Sequence, residues 1–445
     1  MNTDVIAPLL AVAADHPANH VYRGWRHFHP FPRIDGDSYW SRPEVLDPLT
    51  NALAAEEAFR SGGPWLLNGT RGGRRRFDAR QAAYFLIRRV AKPRSVGVVA
   101  DRETVVDAVG DLERLLSIRK AVCLDCLSLH APISIDGGAS INDRLAIVRL
   151  TSLPPSEPQR WTEDGRDRRL LSFTTPTVIV RRSFVEPVFT TSDDETKALS
   201  VDELYDAALP LSLLCEGATW LGSQWAQYED PLLHAASGYS CGRDTLPLEI
   251  APAGTVWAER VDASDAVRIV TAYLGLPEPF RRRMHLSLTR LGQAKRRWEL
   301  EDKALDLMIA VEALLANDRD PGEHTFKVAL RAGLLTRGDS PERIRARAVF
   351  SALYRIRSAV GHAGVAPDTI SVPGFGSESS EQVVAEGLRR ASVILRDCVL
   401  AGRSPDWIRF DLGITDEAEA PGGREQERTA DKREHSDDPD PSTLV

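Results

Sequence analysis

Apolar and polar positions alternate with helical spacing from about residue 263 onward, in one segment after another. The spacing predicts helices over 264–275 and 279–298, split by the Pro277/Pro279 pair, and over 301–316. In the last of these, Leu305, Met308, Ile309 and Leu315 share one stripe. A further helix is expected over 323–336, after Pro321-Gly322. Asp339-Ser340-Pro341-Glu342 then reads as a helix start, with Asp or Ser as N-cap and Pro in the first turn. That helix should bury Ile344, Ala348, Ala352, Ile356 and Val360, flanked by Val349 and Leu353. Pro367–Gly376 reads as a loop, and 379–401 as a last helix presenting Val384, Leu388, Ala391, Leu395, Cys398 and Val399. The expectation is an all-α bundle.

The pattern before residue 263 is mixed. Helical spacing appears over 44–60 and 102–118, whereas Leu145–Leu150 and Thr177–Val185 are apolar, β-branched runs that predict strands. Pro154–Arg169 reads as a surface loop and Asp136–Gly138 as a tight turn. Residues 20–43 crowd aromatic, His, Arg and Pro residues, as packed irregular structure does. The fold class expected is an α+β region over 1–262, a helical bundle over 263–410 and an acidic, disordered tail over 411–445.

Composition narrows this. No run of 18 apolar residues exists, so no transmembrane helix is expected, and the N-terminus lacks the basic region of a secretory signal. Five cysteines in 445 residues do not build a disulfide framework, which fits a reducing cytoplasm. Only seven of the 56 basic residues are Lys, a bias that suggests a GC-rich bacterial genome. The net charge of -8 is unevenly spread. From Thr415 onward ten acidic residues face four basic ones, which leaves the rest of the chain near neutrality. Residues 281–362 carry 17 Arg/Lys against 10 Asp/Glu. Such a segment suits an anionic ligand, or is simply an arginine-rich solvated face.

Two positions stand out chemically. Glu312 falls in register with the apolar stripe of its helix, where a carboxylate must be paired or protonated. It serves either as half of a structural ion pair or as the group that orients a catalytic cation. Arg357 and His362 are candidates for phosphate chemistry, yet on a straight helix they lie about 140° apart. They converge only if the helix unwinds near Gly361 or if two copies meet across a two-fold axis.

The stretch LEDKALDLMIAVEALLAND, followed by LYRIRSAVGHAG, resembles the Apea-like branch of the HEPN superfamily. The matching positions are Asp302, Ala304, Leu307, Ala310, Glu312, Leu314 and Leu315, then Tyr354, Arg357, Ser358, Val360 and His362. Ala363 stands between His362 and Gly364 where the family often has His-Gly. The resemblance covers about residues 263–402 and leaves the first 260 unaddressed.

It implies a helical domain that dimerises so that two Arg-x4-His motifs face one cleft, which in catalytic members cuts RNA without metal or cofactor. Arg357 would hold the scissile phosphate and His362 would move a proton to or from ribose oxygens. Ser358 would hydrogen-bond phosphate or position the histidine, Tyr354 would stack on a base or pack, Glu312 would support Arg357, and Arg355 is a further RNA-binding candidate. The partners implied are RNA and a second copy, with a trigger or partner for residues 1–262 and a defence or toxin-like role in bacteria. Non-catalytic members bind RNA or protein instead, and that reading stays open.

Weaker signals complete the inventory. Cys123 and Cys126 form a lone CxxC with His130 nearby, short of a fourth ligand unless Cys215, Cys241 or His234 supplies it; on a helix such cysteines are small apolar fillers. The run Arg71–Arg76 reads as a solvated loop or a phosphate contact. Walker A, HExxH and GxSxG motifs are absent.

Overall fold

The computed structural model describes residues 1–15, 43–68, 73–90, 102–130, 133–135, 138–156, 177–191, 202–217, 219–237, 244–245, 259–316, 324–403 and 405–411. The aromatic segment before Pro43, most of the expected 154–169 loop, Asp136 of the expected turn and the acidic tail after Asp411 lie outside the described residues.

The centre of the α+β region is β3 (Ala121–His130), paired antiparallel with β7 (Thr177–Val185) on one side and β9 (Trp220–Tyr228) on the other. With β5 (Ala139–Ser140), β6 (Leu145–Arg149) and β10 (Asp244–Thr245) they form a six-stranded sheet of order β10-β9-β3-β7-β6-β5. A second sheet joins β1 (Trp65–Asn68), β2 (Gly73–Arg76) and β8 (Phe189–Thr190). Helices α1 (Thr3–Asp15), α2 (Pro43–Ala54), α3 (Ala79–Val90), α4 (Arg102–Ser117), α5 (Asp202–Ala208) and α6 (Pro231–Ser237) complete this region. The short pair β4 (Ile133–Ser134) and β11 (Glu259–Arg260) is parallel.

Strand alternation sorts the core into three parts. Cys123 and Tyr228 face a cluster built with α1 to α4 and α6. Further along the same face, Leu127, Leu129, Leu145, Ile147 and Ile179 face the helices that follow residue 261. The opposite face of β3 puts Leu124 and Cys126 with Val178, Val180, Trp225, Leu150 and Leu153. Between the first two clusters sits an ion pair. Asp125 lies directly across from Arg181, which donates to its carboxylate from Nη2 at 2.8 Å and from Nε at 3.2 Å. They are 2% and 5% exposed.

The C-terminal part is mostly helical: α7 (Ala263–Leu274), α8 (Glu278–Arg296), α9 (Leu300–Leu315), α10 (His324–Leu335), α11 (Ser340–Ala363), α12 (Ser380–Ala401) and α13 (Trp407–Asp411). These helices share one apolar cluster with the sheet, so a single core crosses residue 263. Asp339 caps α11 by accepting from the Glu342 amide at 3.1 Å, with Pro341 in the first turn. Gly364 ends α11 at φ 75°, the left-handed conformation that glycine adopts without steric cost.

Polar ties set the helix directions. Arg290 and Arg297 each reach the buried Asp306 at 2.9 Å, locking α8 to α9. The amide of Ala366, just past α11, donates to Glu301 at the start of α9 at 2.9 Å, so α9 and α11 are antiparallel. Buried Arg331 on α10 donates to the carbonyl of Leu315 at 2.5 Å and pairs with Asp411 at 2.8 Å, its guanidinium 4.5 Å from the Trp407 ring. Thus α10 runs beside the end of α9 and anchors α13. Arg345 binds Glu378 and Glu386 at 2.5 Å each; Glu386 also takes Arg390 at 2.8 Å, and Arg390 reaches Glu342 at 3.1 Å.

Four expectations need correction. The 367–376 segment is a loop only in part: β12 (Thr369–Val372) and β13 (Gly376–Ser379) form a hairpin, turned through Gly374 at φ 81° and Gly376 at φ 89°. The strands are too short, and too rich in turn residues, to signal themselves. Ile344 is 59% exposed rather than core. The side of α11 that meets α10 is that of Arg343 and Arg347, which lie against Gly333, and Ile344 is rotated away from it. On α9 the buried face is centred on Ala304, Leu307, Val311 and Leu314, leaving Leu305, Ile309 and Glu312 at its half-buried edge. Finally, Cys123 and Cys126 are on a strand, and Arg74 to Arg76 are on β2 rather than in a loop. Among the described residues, no helix is long and apolar enough to cross a membrane.

Two outcomes follow. Asp125→Asn removes the closer carboxylate from the buried Arg181, which keeps Glu203 at 3.6 Å, and should cost about 1–3 kcal/mol in urea unfolding. Replacing both partners, Asp125→Leu with Arg181→Met, should cost less than that single change. Gly387 on α12 abuts Leu353 and Leu307, so Gly387→Ala overpacks the three-helix contact. The same measurement should show a loss of about 1–3 kcal/mol.

Candidate phosphate and proton-transfer site

Arg357 lies two turns before the end of α11, half-buried, with its guanidinium carbon 5.7 Å from the ring centre of Tyr354. One helical turn separates the two side chains and puts them on neighbouring faces. In this bundle most interior arginines are committed: Arg290 and Arg297 to Asp306, Arg331 to Asp411, Arg345 to two glutamates. Arg357 makes no ion pair or hydrogen bond among the described residues.

Its carboxylate neighbour is Glu312. Burial pushes the Glu312 carboxyl above the usual value of 4.5, and the positive charge of Arg357 and of His324 works against that rise. The three groups therefore occupy one electrostatic neighbourhood without a direct bond among them. Neither of the two roles expected for Glu312 takes the form of a salt bridge: the side chain sits at the edge of the apolar face, where solvent partly compensates its charge.

His324 was not foreseen. It opens α10, and the antiparallel packing of α10 on α11 brings it here. Gly333 meets Arg343 and Arg347, so Arg345 is its level on α11. Stepping back from Gly333 to His324, and forward from Arg345 to Tyr354, covers equal lengths of helix. His324 is thus level with Tyr354, one helical turn from Arg357 along α11, and within the field of Glu312. No spacing in the sequence could signal this, because the proximity is made by the tertiary packing of a separate helix.

The remaining expected residues are placed less centrally. Helix α11 stays regular through Ala363, so it does not unwind at Gly361. Arg357 and His362 therefore diverge by about 140° within one chain. His362 is exposed in the last turn and Ser358 is half-buried. Arg355 is exposed and donates to the carbonyl of Ser371, which ties α11 to the β12–β13 hairpin.

Other candidates are absorbed by structure. Cys123 and Cys126 point to opposite faces of β3, so they cannot clasp one ion as a CxxC pair does. Among the described residues no group of three or more His, Cys, Asp or Glu side chains is arranged to hold a metal. His234, on α6, is pushed down to about 4 by burial. Arg75 reaches Gln81 at 2.6 Å, and Arg76 reaches the carbonyls of Ser61 and Gly62 at 2.6 and 2.8 Å. Both are thereby occupied within the fold.

The raised carboxyl of Glu312 gives a signed prediction. A group that binds its proton more tightly when folded loses stability as pH rises through its unfolded value and levels off above its folded one. Glu312→Gln should therefore match wild type below about pH 4 and be the more stable of the two at pH 7, in thermal melts across that range. Wild type equal to or above the variant at pH 7 would show a net favourable role for the charge.

Compared with protein-family models, with curated proteins and with solved structures, the chain has no match.

Proposed function

We propose that this protein is a metal-independent endoribonuclease of HEPN type, acting as a homodimer through its C-terminal helices. The observation that carries the reading is Arg357, a half-buried arginine left unpaired among the described residues while its neighbours in the bundle are neutralised. A guanidinium so placed offers its planar fork to a phosphate and stabilises charge that develops there. The surplus of basic residues over 281–362 adds a long-range field for a polyanion.

The chemistry follows from the residues. The ribose 2′-oxygen attacks the adjacent phosphorus and the bond to the 5′-oxygen breaks, leaving a 2′,3′-cyclic phosphate. An imidazole takes or supplies the proton, since its charge changes near neutral pH. In the two-fold arrangement that the HEPN resemblance implies, His362 of one copy serves the cleft with Arg357 of both. Ser358 and Tyr354 line it, and Arg355 contacts RNA beyond it. The continuous helix favours the two-fold arrangement over convergence within one chain. Residues 1–262 would meet a trigger or partner, and the whole would act as a cytoplasmic defence or toxin-like effector.

The test uses purified protein with end-labelled single-stranded RNA in EDTA. Wild type should cut and leave cyclic phosphate ends, while Arg357→Ala and His362→Ala should lose at least about 100-fold in rate yet melt normally. Binding without product, with the Arg357→Ala change lowering affinity and its salt dependence, would instead identify a non-catalytic RNA-binding module.

A further inference from the structure

We infer that His324 is a catalytic residue of the same site and supplies, from the same chain as Arg357, the proton acceptor beside the phosphate-binding guanidinium. The inference rests on the ribonuclease reading above and makes His324 the proton acceptor, leaving His362 of the second copy to protonate the leaving oxygen. Two geometric facts lead to it. Helix α11 is unbroken from Ser340 to Ala363, so the imidazole of His362 cannot reach the face that Arg357 occupies in its own chain. The packing of α10 on α11 puts His324 level with Tyr354, and Tyr354 in turn lies against Arg357.

His324 is exposed at the first position of α10, and its ring makes no hydrogen bond or ion pair among the described residues. Glu312 is close enough to feel both side chains. One carboxylate thus faces an imidazole from one helix and a guanidinium from another, the arrangement that general acid–base work on a phosphate needs. Glu312 acts here as a positioning residue, its carboxylate set between the guanidinium of Arg357 and the imidazole of His324.

The step balances as follows. Arg357 holds the two non-bridging oxygens of the phosphate. The 2′-oxygen forms its bond to phosphorus as the bond from phosphorus to the 5′-oxygen breaks. The 2′-proton passes to a ring nitrogen of His324, and the 5′-oxygen takes a proton from the imidazolium of His362 of the second copy.

The site can be read with and without turnover. Inorganic phosphate is titrated into the full chain carrying ring-labelled histidine, with resonances assigned through His324→Asn and His362→Asn. The His324 signal should move saturably and should stop moving in Arg357→Ala. Movement of His362 alone, no movement of either, or movement of His324 that persists in Arg357→Ala overturns the assignment. In the RNA assay, His324→Asn should lower kcat by about 100-fold or more with KM within about threefold, and its melting temperature should match wild type. Full cleavage by His324→Asn overturns the inference and leaves the nuclease standing. Absence of cleavage by wild type removes the nuclease reading, while the phosphate titration still decides whether His324 and Arg357 form one anion site.

Discussion

The architecture depends on the pairing of Asp125 with Arg181. Two charges placed at the centre of a sheet under apolar layers need opposite charges beside them to offset their desolvation, and Arg181 finds these in Asp125 and, at 3.6 Å, in Glu203. The direct opposition of Asp125 and Arg181 also fixes the register of β3 against β7. A slip of β7 by one residue would send Arg181 and the apolar residues of that strand to the other face, away from Asp125. With the register set, Cys123 meets the N-terminal helices while Leu127 and Leu129 meet the C-terminal bundle. The pair thus divides one sheet face between two helical layers, and the second layer is the one that presents Arg357.

The bundle is oriented by arginine ion pairs, one of them on the buried Arg331. Asp306 gathers two of them from α8, and Arg331 joins the end of α9 to α13. Each tie crosses between helices whose apolar faces alone would permit rotation or sliding. The result is a scaffold in which short charged contacts decide direction while the apolar cluster supplies cohesion. Arg357, like Arg283 and Arg396, stands outside these ties among the described residues, and it alone of the three lies in the field of Glu312.

Legibility in the sequence followed the strength of the local signal. Helices α8 to α12 were readable because their 3.6-residue spacing, the Asp339 cap and the Pro341 start all agree. Strand β7 was readable from its β-branched run, and β3 was not. Its small and apolar residues, buried on both faces, resemble a helix segment as much as a strand. In the site, Glu312, Tyr354 and Arg357 could be named because they belong to two patterned helices. His324 could not, since its neighbours are chosen by how α10 lies on α11. The rotation of α9 that leaves Glu312 half-buried was equally hidden, because of the stripe read from spacing Met308 and Leu315 are buried while Leu305 and Ile309 fall at its edge.

The network around Arg345 stands some 18 Å from Arg357 along the same helix, at about 1.5 Å per residue. At physiological ionic strength that span exceeds two Debye lengths of about 8 Å, so the two sets of charges hardly sense one another. Substitutions at the two ends should then combine additively. Helix α11 accordingly carries two thermodynamically separate modules: one secures the fold, and the other is free to change its chemistry without unsettling the first.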